Sequence, residues 1–186
     1  MKSKLFTLLC TSCLVQLVSA QNFTQWWKQV DAAAEKDHPK TAIQSLRLIR
    51  QEAIRSGNAA QLLRALFTEQ VMQEEIAPDS GAVMRQLIET ELAKEKRPVE
   101  RALWLNALGR LYAEKARSAW RGNDTADVRK AHDLLLESVQ QTALLGGAQT
   151  QHYATLFVMG CDSKPIYGDD LLSVLTDALV DAYEDN

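Results

Sequence analysis

The chain has 186 residues, 46% of them hydrophobic and 24% charged, which suits one folded domain and excludes an intrinsically disordered polymer. Lys and Arg total 21 against 24 Asp and Glu, for a formal charge of -3. The cations are interspersed with acids, so the cationic face that binds phosphate backbones is missing and nucleic acid is not expected as a partner.

Residues 1–20 read as a signal peptide. Lys2 and Lys4 precede an apolar stretch from Leu5 to Val18, and Val18-Ser19-Ala20 supplies the small residues a signal peptidase accepts, with cleavage before Gln21. A membrane anchor is the competing reading, but Thr7, Thr11, Ser12 and Gln16 interrupt a stretch already shorter than the roughly 20 apolar residues that span a bilayer. No transmembrane helix is therefore expected after cleavage, and an exported protein of the periplasm, cell envelope or extracellular space is. Lipidation at Cys13 is an alternative, although Cys10 stands where a lipoprotein signal wants an aliphatic residue. After cleavage only Cys161 remains, so no internal disulfide can form.

From Phe23 to Gln141 the apolar residues recur at helical spacing, and the predicted fold class is all-α. A first helix, Phe23 to Lys36, buries Trp27, Val30 and Ala34 and stops at the turn Asp37-His38-Pro39. Pro39 suits the first position of a second helix running to Ser56, striped by Ala42, Leu46, Ile49 and Ala53 and closed by Gly57-Asn58. A third helix, Ala60 to Ile76, carries Leu63, Leu66, Phe67 and Val71. After Pro78-Asp79-Ser80, a fourth is striped by Met84, Leu87, Ile88 and Leu92. A fifth, from Pro98 to about Arg121, places Val99, Leu103, Ala107, Leu111 and Ala119 inward, with Trp104, Leu108, Tyr112 and Trp120 widening the face. A sixth, Ala126 to Leu145, packs Ala131, Leu135, Val139 and Thr142 or Ala143.

Short connections make such helices antiparallel neighbours, so residues 21–145 read as stacked hairpins in an irregular, tetratricopeptide-like array. Residues 146–186 read as a loop and a final amphipathic helix on the same domain. Asp169 or Asp170 is its N-cap and Leu171, Val174, Leu175, Ala178, Leu179 and Ala182 its inner stripe.

The search for chemistry yields no catalytic, cofactor-binding or metal-binding residue. No phosphate-cradling glycine loop, nucleophile elbow, zinc helix or calcium loop is present. His38, His132 and His152 lack a second ligand at helical spacing. Glu74-Glu75 and Asp169-Asp170 are adjacent pairs, which on a helix point about 100° apart and cannot converge on one atom. Cys161 has no histidine partner by motif and reads as a half-buried structural thiol. Asn22-Phe23-Thr24 and Asn123-Asp124-Thr125 match glycosylation sequons, which matter only in a eukaryotic secretory pathway. Of Trp26-Trp27 only one can face the core. Trp27 packs, and Trp26, with Trp104 and Trp120, is the candidate partner surface.

The segment Trp27-Lys28-Gln29-Val30, followed by Glu35-Lys36-Asp37-His38-Pro39-Lys40-Thr41-Ala42-Ile43, resembles the N-terminal helical region of the large alpha-2-macroglobulin-like proteins exported by Bacteroidetes-type bacteria. Gln61-Leu62-Leu63-Arg64-Ala65-Leu66 continues the likeness, as do Asp162-Ser163-Lys164 and Tyr167-Gly168-Asp169-Asp170-Leu171-Leu172. The resemblance implies an envelope protein, and in that family the theme is protease trapping through macroglobulin domains, a bait segment and sometimes a Cys-Gly-Glu-Gln thioester. This chain departs from that pattern: Cys161 is followed by Asp162-Ser163-Lys164, and no run of strands follows the helices. Neither thioester chemistry nor trapping carries over. The expectation is a non-catalytic exported helical interaction or scaffold module with a protein partner. The alternative is a glycan- or peptide-binding protein using exposed tryptophans.

Overall fold

A computed structural model describes residues 22–76, 81–117, 125–156 and 170–184. Among these the fold is all-α: α1 (22–34), α2 (Pro39–Ser56), α3 (Ala59–Ile76), α4 (Gly81–Lys94), α5 (Pro98–Arg117), α6 (Thr125–Ser138), α7 (Thr142–Gly146), a 3-10 segment Thr150–Leu156, and α8 (Leu171–Glu184). The one extended pairing among the described residues is a single antiparallel bridge between Gln149 and Asp170. No helix among them is long and apolar enough to cross a membrane. The helices group into two compact units that divide between Ser80 and Gly81.

In the first unit, α1 ends as its turn chemistry dictates. The amides of Asp37 and His38 return to the carbonyls of Ala34 and Ala33, a Schellman closure that puts Asp37 in the left-handed region at φ 54°. Pro39 then opens α2, where a missing amide hydrogen costs nothing. The same closure ends α2, with Gly57 at φ 66° and the amides of Gly57 and Asn58 on Ile54 and Ala53. The Asn58 side chain accepts from the amide of Gln61 at 3.0 Å and so starts α3. Ala42, Leu46, Ile49 and Ala53 of α2 pack on Ala59, Leu62, Leu63 and Leu66 of α3, all buried. Burying one leucine is worth about 1.5–3 kcal/mol, so this seam dominates the stability of the hairpin. Across it, Arg50 donates to Glu69 at 2.7 Å. Two expected core positions lie outside the seam. In α1 the inward alanine is Ala33, with Ala34 exposed, and in α3 Val71 is exposed. In α1 the buried stripe steps three residues from Val30 to Ala33, and in α3 it ends on Glu69 and Gln70 instead of reaching Val71.

In the second unit α5 is the central element, contacting α4, α6, α7 and α8. Every residue from Ala102 to Gly109 is buried. At Gly109 the approach of α6 is so close that a Cβ would lie 2.7 Å from Leu135 Cγ and 3.3 Å from the Ala131 carbonyl. Asn106, buried between α5, α6 and α8, donates to the Leu175 carbonyl at 3.3 Å and to Ser138 Oγ at 3.5 Å, and accepts from Arg110 at 3.1 Å. Lys115 pairs with Asp127, and Arg101 with Glu137 at 3.0 Å, both across α5 and α6.

The expected single helix from Ala126 to Leu145 is two. After Ser138 the amides of Val139 and Gln140 bond to carbonyls only three residues back, and the Ser138 hydroxyl takes the Leu135 carbonyl at 2.7 Å. That tightening closes α6. Consequently Thr142 and Ala143, expected inside, are exposed, and Leu145 is the buried residue of α7. The Asp170 cap is as expected: its carboxylate accepts from the Ser173 amide at 2.9 Å, and the Leu171 amide bonds to Ala148. Ala119 and the proposed cap at Asp79-Ser80 lie outside the described residues.

Candidate functional site

The paired tryptophans of α1 separate as helical geometry requires, with Trp27 buried and Trp26 half-buried. Three contacts hold the Trp27 ring. It lies against the α2 and α3 seam, its indole N–H donates to Gln61 Oε1 at 2.7 Å, and the Arg64 guanidinium covers its face at 3.7 Å from the ring centroid. Such a partly desolvated cation–π contact is worth about 0.5–2 kcal/mol. Burial lowers the Arg64 pKa and the Asp31 charge opposes this, but arginine stays protonated at any physiological pH. Trp27 is thus a structural anchor.

Trp26 meets the ring of Phe23 edge-on, with centroids 6.2 Å apart and planes at 79°. Phe23 itself is buried, so it fixes one edge of the Trp26 indole while part of the ring stays accessible. This is a small preorganised aromatic surface on the first unit.

The other two tryptophans do not join it. Trp104 is only 2% exposed, at the centre of the second unit's core, which corrects its assignment to a partner surface. The reason is that α5 is covered on several sides, so the positions that widen its apolar face are buried too. Trp120 lies outside the described residues, as does Cys161.

The histidines are dispersed. His38 is exposed in the turn before α2 and His152 is exposed in the 3-10 segment. His132, on α6, donates from Nε2 to the Ala182 carbonyl of α8 at 3.0 Å and stacks on Tyr183, with centroids 4.3 Å apart and planes at 18°. Among the described residues no three His, Cys, Asp or Glu side chains converge as metal ligands. Glu74 and Glu75 are exposed, and Glu74 accepts from Gln70 at 2.5 Å. Burial, and then the hydrogen bond it donates to Glu89 at 3.0 Å, hold the Tyr112 phenol above its ordinary range and protonated. Tyr153 is raised too, by burial first and by the Glu100 charge second.

Sequence reasoning missed two arrangements, the Asn106–Ser138–Leu175 cluster and the His132–Tyr183 stack. Both join residues more than thirty positions apart, and local periodicity carries no signal for such pairs. No family model, no curated protein and no solved structure matches the chain.

Proposed function

We propose that the chain is a non-catalytic, exported helical interaction module, of the kind that leads alpha-2-macroglobulin-like envelope proteins, and that it binds a protein partner through the Trp26 surface of its first unit. The observation that carries this reading is the half-buried Trp26, fixed edge-on by Phe23 beside the locked Trp27. Rigid aromatic side chains lose little entropy on binding and are enriched where partners dock. The exposed Leu48 and Ile54 of α2 and Val71 and Ile76 of α3 add apolar area to the same unit. The leader-like residues 1–20 support export to the periplasm or beyond, and the hairpin of α2 and α3 suits a tetratricopeptide-like scaffold.

Cell fractionation with N-terminal sequencing tests export, the expected mature start being Gln21. A photoreactive amino acid at position 26 tests the surface. A discrete protein adduct there, reduced when the crosslinker is moved to Lys40, is the expected outcome. An intact leader in the cytosol, or equal labelling from both positions, overturns the reading.

A second reading, a glycan or peptide site, rests on the same accessible indole of Trp26. It predicts a saturable change in tryptophan fluorescence with a small ligand that is lost in Trp26→Ala, whereas the module reading predicts no response to small molecules.

A further inference from the structure

The outward face of α6 is divided by charge. Its first half exposes Arg129 and Lys130, and its second half exposes Asp133 and Glu137. Arg129, Asp133 and Glu137 follow one another at four-residue intervals and so form a single stripe along the helix. Among the described residues Arg129, Lys130 and Asp133 make no intrachain ion pair, and Glu137 meets Arg101 with both side chains about half exposed. An apolar edge borders the stripe. Leu136, 49% exposed, follows His132 by one turn, and the His132 ring holds Tyr183, 55% exposed, in a stack.

We propose that this face docks against a second copy of the chain, with the two α6 helices antiparallel about a twofold axis near His132 and Asp133. The twofold turns the basic end of each stripe onto the acidic end of the other, so Arg129 and Lys130 of each copy face Glu137 of its mate, while the two Asp133 side chains flank the axis between these cations. Leu136 then packs on the aliphatic stem of the opposing Arg129. A parallel pairing would set Arg129 against Arg129. A partner carrying charge of one sign would be repelled by half of the stripe, and only a divided partner satisfies both halves. A second copy is such a partner, and an isologous contact needs this self-complementarity.

The size of the face sets the strength. A 14-residue helix is about 21 Å long, and with α8 beside it the face is about 20 Å wide, or roughly 400 Å² per copy. That is below a standard interface, so the dimer is weak and reversible, and salt weakens it further.

Sedimentation equilibrium on the full chain, from about 1 μM to about 1 mM at low salt, is the test. The wild type is expected to dimerise reversibly. Arg129→Glu and Glu137→Arg, each checked by circular dichroism to be folded, should weaken dimerisation at least about tenfold. Mixing the two single variants should restore a heterodimer, and the double variant Arg129→Glu/Glu137→Arg should dimerise by itself. Leu136→Ala, at an exposed position that the fold tolerates, should also weaken association. A wild type monomeric throughout, a dimer indifferent to Arg129→Glu, or a failure of the mixed variants to associate overturns the proposal.

Discussion

Asp37 adopts a backbone conformation that costs a residue with a Cβ about 1–2 kcal/mol. Replacing it with Gly should stabilise the protein by about 0.5–1 kcal/mol, and replacing it with Val should destabilise it by at least as much, read as shifts in the urea midpoint. The Gly57 closure of α2 was legible because glycine is the usual left-handed residue there. The Asp37 closure was legible only as a turn, since nothing in an aspartate announces positive φ. At Glu95 a different local device operates. Its carboxylate accepts from the Arg97 side chain at 2.9 and 2.6 Å and from the Arg97 amide at 2.9 Å, which shapes the turn into α5. The Arg97 side-chain hydrogen bonds hold the Glu95 pKa below its ordinary value, despite the opposing effect of burial. The unfolded chain therefore binds the proton more readily. The stability this group contributes is present above the unfolded carboxylate pKa and is lost as pH falls through the lower folded one. Glu95→Gln should flatten that part of the acid limb of a stability-versus-pH profile measured by urea titration, while leaving neutral-pH secondary structure unchanged.

At the scale of elements, most boundaries could be read from capping residues and apolar spacing, including Pro39 at the start of α2 and Asp170 at the cap of α8, but the break after Ser138 that divides α6 from α7 could not. What could not be read is how far each helix is covered. The α5 pattern reads as a widened stripe, yet the run from Ala102 to Gly109 is buried on all sides, because helices remote in sequence close over it. Trp104 was misassigned for the same reason. Gly109 marks the tightest of these contacts. Alanine is the better helix former by about 1 kcal/mol, but its methyl would meet Leu135 Cγ at 2.7 Å. Neither that branched carbon nor the Ala131 carbonyl yields easily, so Gly109→Ala should destabilise by about 1–3 kcal/mol despite its propensity. Gly146, where an added Cβ meets nothing within 4 Å, is the control. Gly146→Ala should be neutral or slightly stabilising in the same thermal melt.

At the scale of the molecule, composition and periodicity establish that the chain buries apolar seams between helices, and the all-α fold follows from that. They do not say where those seams close upon one another. Leu46, fully buried in α2, belongs to the seam with α3, and Leu135, fully buried in α6, packs with Ala178 and Ala182 of α8. Each belongs to a different compact unit. Truncating a fully buried leucine to alanine costs about 2–5 kcal/mol through lost transfer energy and the cavity left behind. If each unit is held by its own core, that loss should stay local. Hydrogen exchange on the full chain resolves this, because amides report the opening of the unit that contains them. Leu46→Ala should accelerate exchange across α2 and α3 and leave α5, α6 and α8 at wild-type rates. Leu135→Ala should do the reverse. Acceleration of every helix by either substitution would mean that the two cores unfold as one cooperative body, and the division between Ser80 and Gly81 would carry no energetic meaning.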